Sequence, residues 1–165
     1  MLNTLIWLIT VEAMGLAVLP VSYYLLPHLK DRGFSISKPM GLLLIGYLSW
    51  SLSVLRVIPS TTLTILTLLI IVGIISWKCM WGHRRDLIDF IVRERKILLL
   101  TEGIFLLAFL GWAVFRAHDP AINHTEQPMD FMFLNATIMS NLGPPEDPWL
   151  RGEPVNYYYF GYWMM

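Results

Sequence analysis

ILLLTEGIFLLAFLGWAVF, residues 97–115, carries one charge, Glu102, in an otherwise apolar run. A helix needs roughly 20 predominantly apolar residues to traverse about 30 Å of hydrocarbon. This run meets that length and reads as a transmembrane helix. Its flanks are unlike. Residues 78–96 before it hold Lys78, Arg84, Arg85, Arg93, Arg95 and Lys96. Residues 116–156 after it form the one long polar stretch, with Asp119, Glu126, Asp130, Glu146, Asp147 and Glu153, six of the twelve acidic residues. Any chemistry is expected there, with the apolar helices as its mount.

Working outward, three more apolar runs appear at about 2–26, 40–58 and 61–77. The first contains Glu12 and Pro20, and the second carries Arg56 near its end. The fold class expected is therefore all-α: a polytopic transmembrane helical protein with four complete spans and the start of a fifth at 157–165. From Tyr157 to Met165 a helix rises only about 14 Å at 1.5 Å per residue. The fifth span is thus expected to continue past Met165, the chain being the N-terminal portion of a longer protein. Composition agrees with a membrane protein. Hydrophobic residues make up 56% and charged residues 15%, against about 45–50% and about 25% in soluble domains. Mean hydropathy is +0.57. Net charge is zero, which removes any bulk attraction to nucleic acid. The single cysteine, Cys79, excludes an intrachain disulfide and a cysteine-built zinc site. The first run lacks a positive leader and carries Glu12, so it reads as a retained helix rather than a cleaved signal.

Positive charge sets the expected orientation. Residues 28–39 hold Lys30, Arg32 and Lys38, and with 78–96 they bring nine cations to one side. Arg56, Arg116 and Arg151 are left for the other side. Cytoplasmic loops carry the excess of Lys and Arg. The two basic loops are therefore expected inside the cell membrane, with the N-terminus and loop 116–156 outside. Within the basic segment, Leu87, Ile88, Ile91 and Val92 among charges suit an interfacial helix or a plain connector.

Inside the acidic loop, Phe131, Leu134, Ile138 and Leu142 share a helical face. The spacing predicts a short surface helix over 131–142 with Asp130 as its N-cap. Gly143 and Pro144-Pro145 would end it. Residues 144–154 are too rich in proline and glycine for regular structure. Glu146, Asp147 and Glu153 read as solvated. The chain then returns at NYYYFGYW, residues 156–163, whose aromatic side chains suit the lipid–water boundary. Asn123 and Asn135 head two N-glycosylation sequons.

TEQPMDFMFLNA (residues 125–136) and PPEDPWLRGEPVNYYYFGY (residues 144–162), with LPHLKDRGFSISKPMGLLLIGYLSW (residues 26–50) before them, resemble the YYY membrane-protein family. Those are large multi-pass proteins of unknown function, named for the triplet that here is Tyr157, Tyr158 and Tyr159. The family pattern has glycine where this chain has His124 and lysine where it has Gln127, so a role for that lysine does not carry over. The layout is similar to that of GT-C membrane glycosyltransferases. That resemblance implies transfer of a sugar from a polyprenyl-phosphate carrier, with acids in an early external loop.

Such transfer needs a carboxylate to accept the proton of the attacking hydroxyl, and a cation to stabilise the departing phosphate. Glu126 and Asp130 are the candidate catalytic pair. Pro128 argues against a regular helix that would align them. Asp119 and His124, with His118 near them, are candidate ligands for a divalent ion, Mg or Mn. Tyr157, Tyr158 and Tyr159 are candidate substrate contacts, or a simple interfacial belt. The expected partners are membrane lipid, a polyprenyl-phosphate sugar donor and helices following Met165; nucleic acid is not among them. Glu12 and Glu102 are a separate matter, because a carboxylate inside an apolar span is expensive and therefore a functional candidate. A structural contact, for Glu102 with Lys96 or Arg95, is the first reading, and a proton or ion path the second. The alternatives to a transferase are a transporter or channel component and a non-catalytic membrane scaffold.

Overall fold

The computed structural model describes residues 2–157 and 159–164. Helix α1 (Leu2–Leu25) is mostly apolar, with Glu12 near its middle, and takes Pro20 into its interior. Proline has no N–H, so the Leu16 carbonyl one turn earlier loses its helical donor. The Trp77 indole N–H supplies the missing bond, donating to the Leu16 carbonyl at 3.0 Å. Lipid offers no substitute donor, so internal satisfaction matters. We expect Trp77→Phe to destabilise the protein by about 1–2 kcal/mol. Adding Pro20→Ala, which restores the helical donor, should recover most of that loss. Thermal unfolding of the four variants in detergent checks the coupling; strict additivity would contradict it.

Helix α2 (Phe34–Val54) follows a turn. Asp31 closes that turn: its carboxylate accepts the Gly33 N–H at 3.2 Å and the Ser35 N–H at 2.9 Å. Burial alone would raise the Asp31 carboxyl, but the Ser35 and Gly33 hydrogen bonds outweigh it and hold it below the ordinary aspartate value. Helix α3 (Thr62–Met80) runs through a 3₁₀ turn (Trp81–His83) into α4 (Arg84–Arg93), and α5 (Arg95–His118) follows directly. Helices α6 (Gln127–Met139) and α7 (Phe160–Trp163) complete the order. Among the described residues the β structure is one isolated bridge, Glu146 to Pro154.

Three helical stretches are long and apolar enough to cross a membrane: Leu2–Leu25, Thr62–Arg93 and Arg95–His118. Helix α2 is not among them. Its 21 residues are long enough, but Ser35, Ser37, Lys38, Ser49, Ser51 and Ser53 dilute its hydropathy. It begins at Phe34 and ends at Val54 rather than running over 40–58, because Lys38 and Pro39 lie inside its first turns. Lys38, counted above with a polar turn, is therefore a buried helical residue.

The chain divides into two compact units, Met1–Leu42 with Leu69–Pro120, and Leu43–Leu68 with Ala121–Met165. In the first, Tyr23, Met80, Leu87, Phe90 and Leu98 form a buried cluster against Phe34 and Ile97. The Arg32 guanidinium caps it, 4.5 Å from the Tyr23 ring centroid. Helix α4 buries Leu87 and Phe90, while Ile88, Ile91 and Val92 stay exposed. In the second unit, the buried hydroxyl of Ser53 bridges the chain ends of two elements. It donates to the Asn141 carbonyl at 3.3 Å and accepts from the Gly143 N–H at 3.2 Å. Ser60 N–H donates to the same Asn141 carbonyl at 2.7 Å.

Candidate functional site

Helix α6 starts earlier than its apolar spacing suggests. It spans Gln127–Met139, not 131–142, and Glu126, not Asp130, is its N-cap residue. The reason is Pro128. It occupies the first turn, where its missing N–H has no intrahelical role and its fixed φ is already helical. Proline thus initiates the helix instead of preventing it. Glu126 and Asp130 stand four residues apart across this first turn, with the Asp130 N–H bonded to the Glu126 carbonyl at 2.9 Å. That spacing puts both carboxylates on one side of the helix. Thr125, just before the cap, has φ +40°, a region a β-branched residue rarely enters. The Gln127 side-chain oxygen is buried with no hydrogen-bond partner among the described residues.

Asp130 is freed from capping for a different contact. The Tyr162 hydroxyl donates to its Oδ1 at 2.5 Å. The Tyr162 ring stacks on Phe133, with centroids 5.9 Å apart, and Tyr157 stacks on Phe133 at 5.7 Å. Trp149 meets the same Phe133 edge-on at 5.4 Å. The Trp50 indole N–H donates to the Tyr159 hydroxyl at 3.2 Å, and Phe160 packs against Trp50. The aromatic return is therefore packed onto α6 and α2 within its unit. Tyr158 lies outside the described residues.

Glu146 and Asp147 are not merely solvated. Glu146 Oε1 accepts the Gly152 N–H at 2.7 Å, and Asp147 Oδ1 accepts the Trp149 N–H at 2.8 Å. They fold residues 146–154 into a turn whose ends pair, with Asp147 N–H bonded to the Glu153 carbonyl at 2.8 Å. Gly152 at φ +93° supplies the left-handed step that turn needs. Between this turn and α6 lies a groove of about 740 Å³, lined by Met132, Met139, Leu142, Pro144, Glu146 and Arg151 among others. Arg56 and Arg151 are the two Lys or Arg side chains in the sequence of this unit.

Asp119 and His118 belong to the end of α5 in the other unit, where the His118 Nδ1–H donates to the Val114 carbonyl at 2.8 Å. His124 belongs with α6. Among the described residues no three His, Cys, Asp or Glu side chains converge to hold a metal ion. Asn135, head of the second sequon, turns its amide back to the Phe131 carbonyl at 2.6 Å within α6.

The two span acids meet in the first unit, on a partner that neither Lys96 nor Arg95 provides. Lys38 Nζ lies 2.5 Å from Glu102 Oε2 and 3.1 Å from Glu12 Oε1. It also sits 4.0 Å from the Phe105 ring centroid. Apolar context alone flags Glu12 and Glu102. Lys38 escapes notice because a lysine beside a turn usually snorkels to water.

Apolar helices of spanning length, charged side chains gathered between helices and an aromatic return define a helical membrane protein. Residues 44–165 match a family described as uncharacterised membrane protein (DUF2298), and the chain belongs to that family. No curated protein and no solved structure matches it.

Proposed function

We propose that this chain carries the acidic part of a glycosyl-transfer site of the GT-C kind, acting at the membrane surface on a polyprenyl-phosphate-linked sugar, in a protein of the YYY type. The supporting observation is the 2.5 Å bond from Tyr162 to Asp130. It joins the acidic start of α6 to the aromatic return and holds one carboxylate oxygen in place. The other oxygen is then the base. It accepts the proton of the acceptor hydroxyl as that oxygen attacks the anomeric carbon. Glu126, one turn away, shares or relays that role. The bond from the anomeric carbon to phosphate oxygen breaks, and the phosphate leaves with its negative charge. Arg151 and Arg56, the guanidinium groups of this unit, are the candidates to stabilise that charge. Tyr157 and Tyr159 offer rings and hydroxyls to the sugar or the carrier.

The expected result for the full-length protein is a loss of turnover of about 10²–10⁴-fold in Asp130→Asn or Glu126→Gln, with KM little changed and expression intact. Tyr162→Phe should lower turnover by a smaller factor, since it only releases the carboxylate. Normal transfer in both acid variants would sink the assignment. Uptake of a solute that disappears in Glu12→Gln would instead favour a transporter.

In the same reading the α6 loop faces outward and the basic segment faces the cytoplasm, an orientation that the distribution of Lys and Arg supports. Met139 and Cys79 are both exposed and can report this. A membrane-impermeant maleimide applied to intact cells should label Met139→Cys in a Cys79→Ser background and leave native Cys79 unlabelled. The opposite labelling pattern would reverse the orientation.

A further inference from the structure

We propose that Glu12, Lys38 and Glu102 form a proton-binding site that holds one proton between its two carboxylates. This goes beyond the transfer reading and does not depend on it. The three residues come from the middle of α1, the first turns of α2 and the first half of α5. Lys38 is the centre of the group, with its side chain only 10% exposed. Its ammonium is spoken for on three sides: Glu102 at 2.5 Å, Glu12 at 3.1 Å and the Phe105 ring at 4.0 Å. Phe34 closes a fourth side at 5.7 Å.

One ammonium neutralises one carboxylate. Glu102 has the hydrogen bond to Lys38. The Glu12 oxygen nearest the ammonium is buried and lies farther from it, in ion-pair contact at 3.1 Å but without a well-directed hydrogen bond among the described residues. A second carboxylate that must share one ammonium in an apolar setting is disfavoured in its ionised form. Both carboxylates converge on the same ammonium, Glu102 at 2.5 Å and Glu12 at 3.1 Å, so the two acids lie close together. Two ionised carboxylates offer only acceptors to one another, and a hydrogen bond between them requires a proton on one. Like-charged carboxylates in contact share a proton for the same reason. The charged groups of this cluster, taken over α1, α2 and α5, are these three alone among the described residues. No second cation is at hand to balance the second acid.

The helices are arranged so that the site stays assembled. Lys38 crosses α1 directly over Gly15, where a Cβ would lie 2.8 Å from Lys38 Cγ. The two carboxylate side chains remain partly open, 32% exposed for Glu12 and 25% for Glu102. A proton can therefore exchange without the helices separating.

Infrared difference spectroscopy of the full chain in lipid nanodiscs, at neutral pH and with deuterium exchange, tests this directly. The expected wild-type spectrum contains the carbonyl stretch of a protonated carboxylic acid, shifted by deuterium. Glu12→Gln and Glu102→Gln each leave one carboxylate facing one ammonium, so the charge is balanced and the band should vanish in either. Lys38→Met leaves two acids with no cation, and the band should roughly double. A wild-type spectrum without the band overturns the proposal without recourse to any variant. So does a band that survives in both glutamine variants.

Discussion

Lys38→Met is expected to destabilise the protein by about 3 kcal/mol, the lower end of what removing one partner from a buried ion pair costs. The lower end applies because Glu12 and Glu102 keep some exposure, 32% and 25%. The loss arises from what remains rather than from the vanished contact. Two acids stay close together in an apolar setting with the cation between them gone, and one must take up a further proton or be drawn toward water. The triple variant Lys38→Met, Glu12→Gln, Glu102→Gln removes every charge and should recover most of the stability. Buried ion networks replaced by neutral groups of similar volume are often no less stable. Thermal unfolding in detergent distinguishes the two outcomes. If the single and triple variants are equally unstable, the methionine is simply a poor fit and the charge account fails.

Gly41→Ala is expected to be nearly as damaging, at about 3 kcal/mol, the upper end for overpacking a close contact. A Cβ at Gly41 would lie 2.4 Å from the Met14 carbonyl oxygen and 2.6 Å from its carbon. Those are backbone atoms of α1, so no side chain can turn aside and the two helices must separate. Small residues permit such close backbone approach between helices in membranes. Gly103 on α5 has nothing within 4 Å of a built Cβ. Gly103→Ala should therefore be neutral or stabilising by up to about 1 kcal/mol. Equal melting temperatures for the two alanine variants would contradict the packing account. The two large effects are linked in space. Lys38 precedes Gly41 by three residues on α2, so moving α2 off α1 also draws the ammonium from Glu12. The double variant Lys38→Met, Gly41→Ala should lose less than the sum of the singles.

How far the fold was legible varies by element, and the variation has physical causes. Helices α1, α3 and α5 are plain in the sequence because length and uninterrupted apolarity are local properties. Helix α2 is less plain. Its serines read as polar interruptions, yet Ser37, Ser49 and Ser53 are buried, with the Ser49 hydroxyl 2.8 Å from that of Ser60. A hydroxyl that finds an internal partner behaves as a core group, and hydropathy cannot record the partner. The start of α6 is hidden in the sequence for a related reason. Pro128 breaks a helix interior but suits a helix start, and only the position of the cap decides which applies.

The candidate site divides the same way. Glu126 and Asp130 stand out by residue type and resemblance, as do Glu12 and Glu102 by their apolar surroundings. Tyr162, Phe133 and Trp50 do not, since aromatic side chains near a membrane have a simpler explanation as an interfacial belt. Glu146 and Asp147 look solvated until the turn they close is seen.

Sequence by itself determined that this is a helical membrane protein, where its apolar helices lie, and which carboxylates are costly or well placed. Those follow from composition and spacing along one strand of chain. Tertiary structure alone decided that Asp130 is held by Tyr162, thirty-two residues away, and that Lys38 answers Glu102, sixty-four residues away. A buried charge or hydroxyl must find a partner somewhere, but which partner depends on how helices cross. That crossing is set by contacts as local as Gly41 against Met14, which no pattern in the chain announces.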